Sequence, residues 1–324
     1  MHTESPQPLV SVIIPTYNRP EYLKQAISSA VRQTYQNIEI IVSDNCSLEN
    51  PQPLVESFLD PRIKFWRHPQ NIGMLANQLH TFKMASGKYV ASLHDDDVWN
   101  EDFLAKMVPH LEANPHLILA FCDHYIIDAQ GKIDDVDTQL NTRAYQRDKI
   151  APGIHHNFLK IGLVDKSIPT ASACVIQNAL IDWDLIPPEV NGMWDLYLTY
   201  LCCISGQGIY YVPERLTYYR THEQTDTMLS GRRNVQAKIR KGSSELFCYK
   251  VFMEDSRLEE FHAYFRQKWL EANTTLGIGL LRNQQKIAAR PYFWRTLNEQ
   301  KFNLRALVAL ILSFIPIQIR PVWQ

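Results

Sequence analysis

Val10-Ser11-Val12-Ile13-Ile14-Pro15-Thr16-Tyr17-Asn18-Arg19-Pro20 carries the reading of the fold. The apolar run Val10 to Ile14 is short and stops at Pro15, as a buried strand does. Asn18 or Arg19 then precedes a helix start, with Pro20 in the first turn. Leu23, Ile27, Ala30 and Val31 follow at helical spacing.

The alternation continues outward from there. Strands are expected at Ile38 to Val42, Ile63 to Trp66, Tyr89 to Leu93 and Ile118 to Cys122, and helices at Pro53 to Leu59, Gly73 to Ala85 and Glu101 to Glu112. Strand and helix in turn, joined by short connections, imply an α/β fold: a mostly parallel, Rossmann-like sheet with helices on both faces. Polar residues gather where strands end, at Thr16-Tyr17-Asn18, at Asp44-Asn45 and at His94 to Asp97. In open sheets of this class ligands bind beyond the carboxyl ends of the strands, so these ends converge on one candidate crevice. The second half is less regular. Asp128 to Gly131 reads as a turn, Ser172 to Gln177 as a strand, Asp195 to Ile204 as an apolar helix, and Ile209 to Val212 and Leu216 to Tyr219 as two short strands. From about Asn234 the pattern is helical, giving a first domain at 1–230 and a helical carboxy-terminal appendage at 231–324.

Bulk properties narrow the function. The chain has 324 residues, 45% of them hydrophobic and 21% charged, enough for a sizeable core. A formal net charge of -1 implies no general attraction to nucleic acid. The basic cluster Lys238 to Lys241 reads as a solvated helix face. The scattered cysteines form no C-x-x-C pair, which argues against structural zinc and fits reduced thiols. Met1 to Pro8 is short and polar, without an apolar signal core, and no apolar run reaches about 18 residues. The expected location is cytoplasmic, or peripheral on the inner face of a membrane.

The run Asp95-Asp96-Asp97 is costly as a structural device, because neighbouring carboxylates repel and raise one another's pKa. A cation relieves that cost, and an oxygen-rich site suits Mg²⁺ or Mn²⁺. The competing reading is a solvated loop capping the next helix.

Four blocks in order resemble family 2 glycosyltransferases: Val10 to Arg19; Ile40-Ile41-Val42-Ser43-Asp44-Asn45; Asn71-Ile72-Gly73; and Gly87-Lys88-Tyr89-Val90-Ala91-Ser92-Leu93-His94-Asp95-Asp96-Asp97. The resemblance is strong from residue 9 to about 125, looser to about 222 and absent beyond. It implies the GT-A fold, a nucleotide-sugar donor, a divalent metal and transfer with inversion. By resemblance, Pro15, Thr16, Tyr17 and Asn18 form the loop on which the base packs, with Tyr17 offering a ring face. Asp44 sits where the family accepts a hydrogen bond from the base, which favours uracil or thymine. Asn71 and Gly73 lie where the family closes over the nucleotide; Gly73 either permits close backbone approach or starts the helix. Asp95 is assigned to the ribose or nucleotide, Asp96 and Asp97 to the metal. His94 stands where the family's metal motif has its first acid, and histidine itself ligates metals. Tyr218-Tyr219-Arg220-Thr221-His222 resembles a late segment whose histidine approaches the metal or diphosphate; Arg220 is read either there or as structural. Met193 falls where the family's base is expected. Asp195 is then either the base, displaced by two positions, or a helix N-terminal acid, with Glu189 as the alternative.

The implied function is transfer of a sugar to a glycan or lipid-linked acceptor in surface polysaccharide synthesis. A sugar-nucleotide nucleotidyltransferase is disfavoured, since Pro15 to Asn18 lacks the glycine-rich phosphate loop of that class. A binding protein without activity is the other alternative, raised by His94 and Met193. In the appendage, Leu304 to Ile319 is apolar, flanked by Arg305 and Arg320 and followed by Trp323. It is too short to span a bilayer. It either lies in the membrane interface through residues 304–323 or packs against protein.

Overall fold

The computed structural model describes residues 7–169, 172–222 and 234–315. Contacts divide the chain into two units, Met1–Ile186 with Asp195–Thr221, and Pro187–Trp194 with His222–Gln324. Residues 187–194, placed by sequence in the first domain, join the second unit because their turn packs on its first long helix, with Val190 fully buried.

In the first unit the elements run β1 (Val10–Thr16), α1 (Pro20–Val31), β2 (Ile38–Asp44), α2 (Gln52–Glu56), β3 (Ile63–Arg67), α3 (Met74–Met84), β4 (Tyr89–Ser92), β5 (Val98–Trp99), α4 (Phe103–Ala113), β6 (Leu117–Ile127), α5 (Asp135–Ala144), β7 (Gly153–His155), β8 (Cys174–Gln177), α6 (Trp194–Ile204) and β9 (Gly208–Arg220). They build one sheet in the order β3-β2-β1-β4-β8-β6-β9-β5, with β7 on β9. The strands β3, β2, β1 and β4 are parallel. Beyond β4 the antiparallel β8 enters, so the whole sheet is mixed.

Alternation along the strands explains the layers. Val10, Val12 and Ile14 share a core with Leu23, Ala26, Ile27 and Ala30 of α1 and with Phe103, Leu104 and Met107 of α4. Each such large aliphatic contributes roughly 1.5–3 kcal/mol by leaving water. The opposite face is more polar. There Ser43 donates to Asn77 Oδ1 at 2.7 Å, and Gln78 donates to Ser92 Oγ at 3.0 Å, fixing α3 by hydrogen bonds.

Where sequence and structure differ, the cause is local. The expected strands 209–212 and 216–219 are one strand, β9, whose exposed Pro213 and Glu214 interrupt the pattern at a bulge against β6. Helix α5 lacks apolar periodicity; its visible start signal is Asp134, whose carboxylate accepts from Asp137 N–H at 2.9 Å.

The second unit holds α7 (Val235–Glu254), α8 (His262–Arg282), α9 (Lys286–Glu299) and α10 (Leu304–Phe314). Gly242 lets α7 and α8 cross closely, since a Cβ there would meet the Leu276 backbone nitrogen at 2.8 Å. Among the described residues no helix is long and apolar enough to cross a membrane. All six cysteines are unbridged.

Buried Glu39 in β2 accepts from Ser11, Lys64, Ser86 Oγ and Ser86 N–H. Burial alone would raise its carboxyl, but these donors outweigh it and hold it at about 2, against an ordinary 4.5. The linked stability is therefore present above pH 4.5 and fades as pH falls through about 2. Glu39→Gln is expected to cost about 2 kcal/mol at pH 7, allowing for the exposed Lys64 head group, with the deficit shrinking towards pH 2. Urea midpoints across pH check this; a pH-independent deficit would contradict it.

Candidate active site

The parallel strands stop level with one another. Thr16 is in register with Asp44, and Asp44 with Arg67. The loop after β1 is pinned to the loop after β2: Asn45 N–H donates to Thr16 O at 3.0 Å, Asn18 N–H to Ser47 Oγ at 2.8 Å, and Leu48 N–H to Asn18 Oδ1 at 2.8 Å. Asn18 adopts φ 55°, a left-handed conformation that asparagine tolerates. Pro15 is half-buried, and the Tyr17 ring is 43% exposed, free to present a face.

Asp44 is fully buried. Its carboxylate accepts from Ser47 N–H and Ser47 Oγ and pairs with Arg67 Nη1 at 3.1 Å. Arg67 also donates to Ser47 O at 2.8 Å. Asn45 and Asn71 are joined, Asn45 Nδ2 donating to Asn71 Oδ1 at 3.2 Å and Ile72 N–H to Asn45 Oδ1 at 2.9 Å. Gly73 caps α3 with φ 91°, a conformation that needs glycine, and an added Cβ would meet no atom within 4 Å.

The acidic run turns immediately after β4. Asp95, Asp96 and Asp97 are all buried. Asp95 accepts from Thr16 Oγ1 at 2.8 Å, from Tyr17 N–H at 3.4 Å and from Arg19 Nη1 at 3.0 Å. The same Arg19 nitrogen donates to Asp96 Oδ2 at 2.8 Å. Asp97 Oδ1 accepts from Arg220 N–H at 2.9 Å. The turn therefore faces the loop that carries Tyr17. Burial first, and the Asp96 charge second, push the Asp95 and Asp97 carboxyls up; Arg19 opposes this at Asp95, and Arg220 N–H opposes it at Asp97.

His94, Asp96 and Asp97 each offer a donor atom, all within 4.8 Å of one another. Ser172 lies near enough to Asp97 to favour its charged form, yet buried Asp97 Oδ2 has no partner at hydrogen-bond geometry. An orphaned carboxylate oxygen is expensive, and the two carboxylates suit Mg²⁺ or Mn²⁺, the imidazole favouring Mn²⁺ of the two. The residues fit a divalent ion. His222, also expected at the metal, is half-buried and belongs to the second unit; His94 completes the donor trio of the first.

Asp195 opens α6, half-buried, with Oδ1 accepting from Leu196 N–H at 2.8 Å. Desolvation pushes its carboxyl up, countered by Leu196 N–H and then by the charges of His94 and Lys166. His94 thus links Asp195 electrostatically to the acidic turn. Glu189 is exposed on the 3-10 turn of the second unit.

Sequence reasoning assigned no site role to Asn45, Ser47 or Arg67, and read Arg19 only as a helix neighbour. Arg67's position at the end of the third parallel strand was the available signal. Arg220 is the largest fully buried side chain among the described residues. It donates through Nε to Asp96 O at 2.7 Å, through Nη1 to Asp128 O and Ala129 O, and through Nη2 to Gln25 Oε1 at 2.7 Å, and its guanidinium lies 4.7 Å from the Tyr22 ring centroid.

A level row of strand ends, a loop with an exposed aromatic and an acidic turn beside it are the layout expected of a GT-A glycosyltransferase. A family model described as "Glycosyl transferase family 2" matches residues 11–167. An uncharacterized glycosyltransferase of Haemophilus influenzae is 29% identical over 280 residues, 82% of this chain and 84% of that one. The Escherichia coli UDP-Glc:alpha-D-GlcNAc-diphosphoundecaprenol beta-1,3-glucosyltransferase WfgD is 38% identical over 91 residues, 28% of this chain and 36% of its own length. Among solved structures, the mannosyltransferase PcManGT of Pyrobaculum calidifontis, in complex with GDP-Man and Mn²⁺, aligns at a TM-score of 0.57 and 17% identity, covering 95% of this chain and 88% of that one. At that identity the likeness carries the fold. By these likenesses the chain is a glycosyltransferase, and its residues 11–167 match family 2.

Removing Arg220 takes a donor from the Asp96, Asp128 and Ala129 carbonyls, of which Asp128 O keeps Gly131 N–H at 3.0 Å. Arg220→Met is expected to lower stability by about 3–5 kcal/mol, the usual cost of breaking a buried charged network. Urea denaturation measures it; a loss below about 1 kcal/mol would show that the network is dispensable.

Proposed function

We propose that this chain moves a sugar from a nucleoside-diphosphate sugar to a hydroxyl of a glycan or lipid-linked acceptor, with inversion, in the synthesis of a cell-surface polysaccharide. The observation that carries the reading is the turn at His94 to Asp97, where three side chains able to ligate a metal, one with an unsatisfied carboxylate oxygen, adjoin the Tyr17 loop. WfgD, named for a UDP-sugar donor and a diphosphoundecaprenol-linked acceptor, supports the substrate classes.

In this reading Tyr17 packs on the base, Asp44 and Arg67 face its edge, and Asp95 meets the ribose. Asn71 and Gly73 close over the nucleotide. His94, Asp96 and Asp97 would hold Mg²⁺ or Mn²⁺, which when bound supplies Lewis-acid compensation for the diphosphate leaving group. Asp195 takes the proton from the acceptor hydroxyl as that oxygen attacks the anomeric carbon from the face opposite the leaving group. Its raised pKa makes it a stronger base than an exposed aspartate.

Asp96→Ala is expected to cut transfer at least a hundredfold while the melting temperature holds. Asp195→Asn is expected to do the same and to remove an acidic limb of the pH–rate profile lying above the ordinary aspartate value of 3.8. A panel of UDP-, dTDP- and GDP-sugars with and without Mn²⁺, read by product formation, identifies the donor. Full activity in Asp96→Ala would remove the metal assignment, and an unchanged limb in Asp195→Asn the base.

We also propose that the second unit docks on an anionic membrane surface, which suits a lipid-linked acceptor. Helix α10 buries Ala306, Ala309, Leu310 and Ser313 and exposes Leu304, Leu307, Val308, Ile311, Leu312 and Phe314. Arg305 is its single charge. Burial first, and then the charges of Arg282, Arg305 and Lys241, push the Lys238 ammonium down, so these cations lie close together near the helix. Apolar face and adjacent cations suit an interface bearing anionic lipid. The rest of the expected contact, 316–323, lies outside the described residues. The double variant Leu307→Glu/Ile311→Glu is expected to abolish co-sedimentation with phosphatidylglycerol vesicles at unchanged helicity. Equal partition, or a wild-type dimer that the variant dissolves, would overturn the lipid reading.

A further inference from the structure

Arg19 has no part in the scheme above, yet one of its nitrogens lies between two of the acidic groups. Nη1 is 3.0 Å from Asp95 Oδ1 and 2.8 Å from Asp96 Oδ2. The two carboxylates depend on it differently. Asp95 is also held by Thr16 Oγ1 and Tyr17 N–H, both from the loop after β1. Asp96 belongs to the trio that fits a divalent ion. The Arg19 side chain is 24% exposed, so it reaches the buried acids from the solvent side.

We propose that Arg19 is a resident counter-cation for Asp96, which makes metal binding and nucleotide binding depend on each other. The proposal rests on the metal reading above. A guanidinium keeps its charge at every working pH, so it cannot make way for a second cation by losing a proton. With no nucleotide present, Arg19 therefore opposes a divalent ion at Asp96, both by repulsion and by competing for Oδ2. A diphosphate brings negative charge and planar oxygen pairs that a guanidinium grips in bidentate fashion. Arg19 can then turn from Asp96 to phosphate, leaving its carboxylate oxygen to the ion. Asp95, kept in place by Thr16 and Tyr17, does not collapse when Arg19 leaves. Metal and nucleotide each strengthen the other's binding, by equal factors, because coupling between sites is reciprocal.

The test uses the full chain, Mn²⁺ and UDP, with bound Mn²⁺ read by electron paramagnetic resonance rather than by turnover. Mn²⁺ affinity is measured with and without UDP for wild type, Arg19→Gln, Arg19→Lys and Asp96→Asn. Arg19→Gln is expected to bind Mn²⁺ alone about tenfold tighter than wild type and to lose most of the gain in affinity that UDP confers, typically about 5- to 150-fold for coupled sites. Arg19→Lys, which keeps the charge, is expected to retain most of that gain, so a folding defect in the neutral variant would not mimic the result. If Arg19→Gln binds Mn²⁺ no tighter and keeps the full UDP effect, the proposal is overturned while the metal reading stands, provided Asp96→Asn loses Mn²⁺. If neither wild type nor Arg19→Gln takes up Mn²⁺ in the presence of UDP, both fall together.

Discussion

Two guanidinium groups hold the acidic turn in shape from opposite ends of the sheet sequence. Arg19 arrives from the start of α1 and binds the Asp95 and Asp96 carboxylates. Arg220 arrives from the end of β9, taking the Asp96 carbonyl with its side chain and the Asp97 carboxylate with its backbone N–H. Without these donors, consecutive buried carboxylates would repel and draw protons. With them, the groups stay close enough to act as one ligand set, and a single carboxylate oxygen, Asp97 Oδ2, is left over among the Asp97 contacts. The rest of the first unit serves this arrangement: the parallel strands bring the Tyr17 loop alongside, and the long β9 delivers Arg220 to the depth where it is needed.

This division explains what could be read from sequence. Strands β1 to β4 and their helices announce themselves by local apolar periodicity, and Asp95 to Asp97 by composition at a strand end. The groups that stabilise the turn do not, because their partners are distant in the chain: Arg19 meets Asp95 across 76 residues and Arg220 meets the Asp96 carbonyl across 124. An arginine before a helix and an arginine in a strand look ordinary until topology joins them. Helix α5 and strands β5 and β7 were missed for another reason. Each is polar or very short, so its existence depends on tertiary contacts that periodicity does not encode.

Asp44 shows how a resemblance and a local geometry combine. As a turn residue it is complete: Ser47 N–H, Ser47 Oγ and Arg67 already occupy most of what a carboxylate can accept. Capping the following turn in this way is an ordinary role for an aspartate at a strand end. It does not displace the donor-binding role, because Arg67 Nη1 has no hydrogen-bond partner of its own beyond the ion pair. A base edge carrying both an N–H and a carbonyl would satisfy the pair together. Uracil and thymine have such an edge, and so does guanine, so in the proposed donor site the Asp44–Arg67 pair, rather than Asp44 alone, would read the base.

The second unit follows different packing logic. In a water-facing helix the large apolar residues turn inward and the small or polar ones outward. Helix α10 largely reverses this: Leu310 is its one large inward residue, beside Ala306, Ala309 and Ser313, where Arg290 donates to Ser313 O at 3.0 Å, while Leu304, Leu307, Val308, Ile311, Leu312 and Phe314 face outward. Small inward residues allow close helix approach, so the core is not starved by the reversal; Phe293 and Leu281 fill it from the neighbouring helices. Of the outward residues Leu304, Val308, Ile311 and Phe314 leave more than half of their surface in water. An apolar face of this size invites a cover, and the cations gathered around Lys238 make an acidic surface a better match for it than a neutral protein face, which is the basis of the proposed membrane contact.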